Sequence, residues 1–168
     1  MDISGFTPRQ LLELHAKIES ELRGVHKILH TANNPTGDLA EYLFCWAFAW
    51  EPARNSQAHY DAIGPNGEKY QIKGRRITGV NRSRQLSAIR NLEGAQNFDV
   101  LAGLLFKEDY SIERAALIPH AVLLRLAKER RHIAFQKHTN SHIFLLVNDI
   151  WEIPGVKDVT DKLRKVWH

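Results

Sequence analysis

With 168 residues, 43% hydrophobic and 25% charged, the chain has the size and composition of one water-soluble domain able to bury a core. No apolar run approaches the roughly eighteen residues a membrane helix needs, and Met1-Asp2-Ile3-Ser4-Gly5 shows no signal-peptide pattern, so a cytoplasmic protein without membrane contact is expected. A single cysteine, Cys45, excludes an internal disulfide framework, and the net charge of +4 is unevenly spread: Lys73, Arg75, Arg76, Arg82, Arg84 and Arg90 follow one another with no acid between them.

Thr7-Pro8-Arg9-Gln10 has the capping-box pattern with proline at the first helical position. Leu11, Leu12, His15, Ile18 and Leu22 then give one apolar face, which predicts an amphipathic surface helix to about residue 29. Ala32-Asn33-Asn34-Pro35-Thr36-Gly37 is a break. A second helix is expected from Thr36 to Trp50, with Leu39, Leu43, Trp46 and Trp50 on one face and Phe44, Cys45 and Phe48 on the other. A helix apolar nearly all round is usually buried, yet this one carries Glu41 in its middle. A lone buried carboxylate is costly unless a cation or hydrogen bonds compensate it, so Glu41 either reaches solvent, pairs with an arginine, or faces a cation site.

Residues 60–73 read as two short strands around a Pro65-Asn66-Gly67 turn. Strand side chains alternate faces, so Gln71 and Lys73 project together while Tyr70 and Ile72 point the other way. In an antiparallel hairpin Asp61 falls opposite Tyr70 or Gln71, and the second register gathers Asp61, Gln71 and Lys73 on one patch. A carboxylate, an amide oxygen and an ammonium on one patch suit a hard metal ion beside a phosphate. The arginines that follow have the planar fork that phosphate prefers; a solvated basic loop is the bland alternative, and their place directly after the candidate site favours nucleic acid.

Ile77 to Asn97 is polar, with a short helix expected around Arg84–Ile89. Phe98–Phe106 is apolar throughout, as a strand covered on both faces is. A further strand is expected over Ile112–Ile118, then a helix from Pro119 to Arg131 with Val122, Leu123 and Leu126 inward. His142–Val147 reads as another buried strand, and a final helix starts at Asp158 or Thr160 with Val159, Leu163 and Val166 inward. The fold expected is α/β: a mixed sheet of about five strands with helices on both faces. It forms a single domain over residues 1–168, with an N-terminal helix within 1–30, a core over 36–150 and a C-terminal helix within 151–168.

Glu41 on a helix, Asp61 ending one strand and Gln71-Ile72-Lys73 on the next resemble the PD-(D/E)XK nuclease superfamily, most closely its Mrr-like branch, where a Q-X-K tripeptide replaces the acidic form. Gly37-Asp38-Leu39-Ala40-Glu41 is similar to that branch's first motif, and the resemblance is clearest over residues 36–76. It implies a restriction-endonuclease-like fold and a magnesium-dependent endonuclease that hydrolyses DNA phosphodiester bonds, with manganese as a substitute ion. Asp61 would be the principal metal ligand, joined by the Gln71 side-chain oxygen and the Ile72 backbone carbonyl. Glu41 would bind the ion directly or through water, and Lys73 would hold the attacking water. Arg75, Arg76, Arg82, Arg84 and Arg90 are the expected DNA-backbone contacts.

The chain departs from the common pattern in two places. Gln71 is neutral, which removes one negative charge from the site and leaves a non-catalytic DNA-binding or regulatory protein as the alternative. The first motif's proline is missing, since His59-Tyr60 precede Asp61. Cutting both strands at one place would need a homodimer or a partner subunit, because strands of opposite polarity ask for two sites about a two-fold axis. His132, His138 and His142 match no established zinc spacing, and Cys45 reads as a packing residue.

Overall fold

The computed structural model describes residues 2–31, 34–53, 60–90, 92–93 and 97–167. Ala32 and Asn33 of the expected break, and His59 before Asp61, lie outside them. The helices are α1 (Pro8–Gly24), α2 (Thr36–Phe48), α3 (His120–Lys128) and α4 (Thr160–Arg164). The strands are β1 (Glu51–Pro52), β2 (Ala62–Ile63), β3 (Lys69–Arg76), β4 (Ile89–Arg90), β5 (Val100–Phe106), β6 (Ile112–Pro119), β7 (Ile133–Gln136), β8 (Ser141–Phe144) and β9 (Lys157–Asp158).

Six strands form a mixed sheet in the order β1-β2-β3-β5-β6-β9, parallel only between β3 and β5. The class is therefore α/β, as expected, but with one more strand than foreseen. Two of its strands were not foreseen, β1 directly after α2 and β9 just before α4, which begins at Thr160, one of the two starts expected. The second departure is larger. The chain of residues 141–144 does not join this sheet; with β4 and β7 it builds a separate three-stranded sheet in the order β4-β8-β7. The helix expected near Arg84–Ile89 is absent, and Gln85 and Ile89-Arg90 instead pair with Leu145 and with β8.

Two cores flank the main sheet. On one face α2 and α4 close over Tyr70, Ile72, Ala102, Leu104 and Phe106 with Leu39, Leu43, Phe44 and Leu163. On the other, α3 and the small sheet close over Leu101, Leu105 and Ile118 with Leu86, Ile89, Leu123, Leu126 and Phe144. Strand β5 is buried on both sides, which is why its sequence is apolar without alternation.

Helix α1 is capped as its sequence dictates: Thr7 Oγ1 accepts from the Gln10 amide, and Gln10 Oε1 accepts from the Thr7 amide. It stops at Gly24 instead of continuing to residue 29, because Ile28 and Leu29 turn inward to join the core. Helix α2 stops at Phe48, two residues short of the expected Trp50, because Ala49 takes a left-handed φ of 54°. Trp50 is thereby thrown back beneath Phe44 and Phe48 and stacks on Tyr70, with ring centroids 3.6 Å apart. Trp46, expected with the inward face, stays largely exposed. Helix α3 stops at Lys128, three residues short of the expected Arg131.

Candidate functional site

The hairpin adopts the second of the two registers foreseen. Ala62 lies opposite Tyr70 and Ile63 opposite Lys69, so continuation of the ladder sets Asp61 against Gln71. The chain holds Asp61 from three sides. Its N–H donates to the Tyr70 carbonyl at 2.8 Å, its carbonyl accepts from the Ala53 amide at 2.9 Å, and its Oδ2 accepts from the Ile72 amide at 2.6 Å. Strand β2 begins only at Ala62, so alongside the residues before it the edge of β3 would have open backbone groups; the Asp61 carboxylate takes one of them. A strand residue's N–H and C=O leave the same edge, so the Ile72 carbonyl is directed to the Asp61 side also.

Gln71 and Lys73 project from β3 on the face opposite α2. With Asp61 they line a cleft of about 420 Å³ whose far wall is Ser87, Ala88, Arg90 and Asn97. That wall has a topological cause. Parallel strands such as β3 and β5 need a crossover, commonly a helix. Here the connection runs through β4, and its described residues Ser87, Ala88, Arg90 and Asn97 come to lie across from Gln71 and Lys73. Ser87 and Asn97 carry no motif and were not foreseeable from the sequence as site residues.

Glu41 does not line this cleft. It stands on α2, on the other side of β3, yet close enough to feel both partners. Burial pushes its carboxyl up to about 7, and the charges of Asp61 and Asp38 push the same way against the attraction of Lys73. Asp61 is also raised, first by burial, with the Lys73 ammonium and the Ile72 amide pulling it back. The Cys45 thiol, one turn along from Glu41, is pushed up to about 11 by burial and by these two carboxylates, so it is an inert neutral thiol. The approach of α2 is set by Gly74, where a Cβ would lie 2.7 Å from the Thr36 carbonyl oxygen and 2.9 Å from Ala40 Cβ. Asp38 anchors the start of the helix by accepting from the His30 and Thr31 amides, each at 2.7 Å.

The Gln71 side chain is buried, and its Oε1 finds no hydrogen-bond donor. A buried orphan acceptor is costly, and most are satisfied by a donor, water or a cation. With Asp61, a backbone carbonyl and Glu41 behind, the donor set is all oxygen and suits a hard divalent cation that keeps several waters. Among the described residues no cluster of three or more His, Cys, Asp and Glu side chains occurs.

The five arginines divide. Arg90 is exposed and lines the cleft, and Arg82 is exposed. Arg84 is spent on an ion pair with Glu113. Arg76 donates to the Glu108 carbonyl and lies over the Tyr110 ring, 4.4 Å from its centroid, and Arg75 donates to the Ser83 carbonyl. These three brace the 77–83 and 107–113 turns. His132 lies 3.1 Å from Asp149 and His142 lies 3.5 Å from Glu93, with His142 buried in the small sheet, so these histidines sit apart from the cleft.

No protein-family model matches this chain, and no curated protein matches it in sequence. The functional reading therefore rests on the cleft. Among the described residues no helix is long and apolar enough to cross a membrane.

Proposed function

We propose that this protein is a divalent-metal-dependent endonuclease of the restriction-endonuclease-like type, acting on DNA. The observation that carries the reading is the meeting of Asp61, Gln71 and Lys73 at one cleft, with Gln71 Oε1 buried and lacking a donor. Asp61, Gln71 Oε1 and the Ile72 carbonyl would hold magnesium or manganese, with Glu41 behind them through water. The bound ion would supply Lewis acidity to the scissile phosphate and acidify the attacking water. Lys73, on the same face two residues from Gln71, holds that water in line and offsets the charge that grows on the phosphate oxygens. Asp61 keeps its orientation because Oδ2 is committed to the Ile72 amide. Arg90, on the far wall, faces the phosphate from the opposite side, and Arg82 extends the basic surface along the backbone.

The test is cleavage of supercoiled plasmid with magnesium, manganese or calcium, with Asp61→Ala as the blank. Nicking or linearisation is expected with magnesium or manganese and is lost in Asp61→Ala and Lys73→Ala. Full activity in either purified variant would sink the mechanism. A second reading, DNA binding without turnover, is favoured by one observation: Gln71 leaves only two carboxylates at the centre, and the burial of Glu41 keeps it half neutral near pH 7. It is the reading to adopt if wild-type protein binds DNA in a salt-sensitive manner and cuts with none of the three ions.

A further inference from the structure

The wall of the cleft opposite Asp61, Gln71 and Lys73 carries hydrogen-bonding groups that the protein itself leaves unused. Ser87, Arg90 and Asn97 line it, and among the described residues their side chains have no hydrogen-bond or ion-pair partner. Arg75, Arg76 and Arg84, by contrast, are committed within the protein. The two walls stand close together. Gly103 is the cross-strand partner of Lys73, and Leu86, next to Ser87 in the chain, packs over it: Leu86 Cδ1 lies 3.3 Å from where a Cβ on Gly103 would be. Adjacent strands are about 4.8 Å apart. The far wall thus rises from the sheet one strand away from Lys73, and both walls address one recess of about 420 Å³ that the buried Gln71 also lines.

Shape and charge select the form of nucleic acid. A duplex shows its base edges only within its grooves, and a protein reads them there with an element that protrudes, a helix or a two-stranded ribbon. Ser87 and Asn97 line a recess instead, and a recess beside a phosphate site is filled by a nucleotide that has left the stack. Its volume is that of a small-ligand site, of the order of one nucleotide. Duplex affinity also grows with the number of phosphates neutralised. Among the described residues only Lys73 and Arg90 line the cleft as cations. The hydroxyl of Ser87 and the amide of Asn97 both donate and accept, which suits base edges and sugar better than phosphate.

We propose that the cleft takes an unpaired nucleotide, so that the substrate is single-stranded DNA or the unpaired strand of a flap or gap. Ser87 and Asn97 hold the base or sugar of the nucleotide whose phosphate lies at Asp61 and Lys73, and Arg90 meets a neighbouring phosphate. The choice of nucleic acid as ligand rests on the nuclease function proposed above; the form of strand goes beyond it. Supercoiled plasmid is nicked on this account too, because negative supercoiling favours local opening of the duplex.

Fluorescence anisotropy of the full chain in calcium tests the preference, with a labelled single strand of ~20 nucleotides and the matching blunt duplex at one salt concentration. The single strand is expected to bind at least ~10-fold more tightly than the duplex. Asn97→Ala with Ser87→Ala should remove most of that preference without changing the slope of log affinity against log salt, since neither side chain touches a phosphate. A duplex bound as tightly as the single strand overturns the proposal. A double variant with wild-type near-ultraviolet dichroism and the full preference overturns the roles of Asn97 and Ser87. Cleavage of the same substrates and of a flapped duplex in manganese separates this inference from the nuclease reading. Blunt duplex cut as fast as unpaired strand sinks the inference and leaves the nuclease standing. Tight single-strand binding with no cutting in magnesium or manganese sinks turnover and leaves the inference standing, and binding to neither form sinks both.

Discussion

Replacing Gly74 by alanine tests how the fold holds Glu41 near Asp61. The new Cβ would stand 2.7 Å from the Thr36 carbonyl oxygen and 2.9 Å from Ala40 Cβ. Ordinary contact begins at 3.4 Å, so α2 must retreat by 3.4 − 2.7 = 0.7 Å at one point and 3.4 − 2.9 = 0.5 Å at the other. Neither obstacle is a side-chain tip that can swing aside. Overpacking of this kind costs about 1–3 kcal/mol. Against it stands a gain of about 0.4–1 kcal/mol, because alanine has fewer unfolded conformations and Gly74 has no left-handed φ to lose. The net is a destabilisation of about 1.5 kcal/mol, or ~3–6 °C in Tm for a chain of this size. Glu41 follows Ala40 directly, so the same retreat should weaken manganese binding several-fold. The control is Gly103→Ala, whose Cβ meets only the tips of Leu146 and Leu86 at 3.1 and 3.3 Å, which can yield. Urea unfolding followed by tryptophan fluorescence, with manganese titrated by calorimetry, measures both effects. If Gly74→Ala is as stable as wild type, or if Gly103→Ala loses as much, the account of how α2 is positioned is wrong.

Three further outcomes are expected. Glu41 is an acid whose folded pKa is raised from 4.5 to about 7, so the stability linked to it is complete below pH 4.5 and falls as pH rises through 7; in EDTA the Tm should drop between pH 5.5 and 8, Glu41→Gln should flatten that drop, and magnesium should stabilise more at pH 8 than at pH 5.5, as differential scanning fluorimetry would read. Gln71→Glu should raise manganese affinity by about tenfold or more through an added charge, while lowering Tm in EDTA because a third carboxylate joins two that are already raised; unchanged affinity by calorimetry would remove Gln71 from the ligand set. Arg84→Ala should lower stability through the lost Glu113 pair, whereas Arg90→Ala should leave the urea midpoint alone and weaken DNA binding with a shallower salt dependence; identical behaviour of the two variants would mean the division of the arginines is mistaken.

Much of this molecule was written locally. The cap at Thr7, the Pro65-Asn66-Gly67 turn, the face shared by Gln71 and Lys73, and the continuous apolar run of β5 all follow from neighbours in sequence, because capping, turn geometry and strand alternation act over a few residues. The candidate residues Asp61, Gln71 and Lys73 were legible for the same reason: a hairpin register fixes which side chains share a patch. What tertiary structure alone decided lies where distant segments compete for one edge. Residues 141–144 left the main sheet for β4 and β7, because a short apolar run specifies that a strand is buried but not which distant strand it pairs with. The connection between β3 and β5, where local pattern suggested a short helix around Arg84–Ile89, instead pairs through β4 with β8, which brings Ser87, Arg90 and Asn97 to the cleft and leaves Arg84 to Glu113. The level of Glu41 was likewise a matter of packing, because burial, which no stretch of sequence specifies by itself, determines whether a carboxylate is charged at neutral pH.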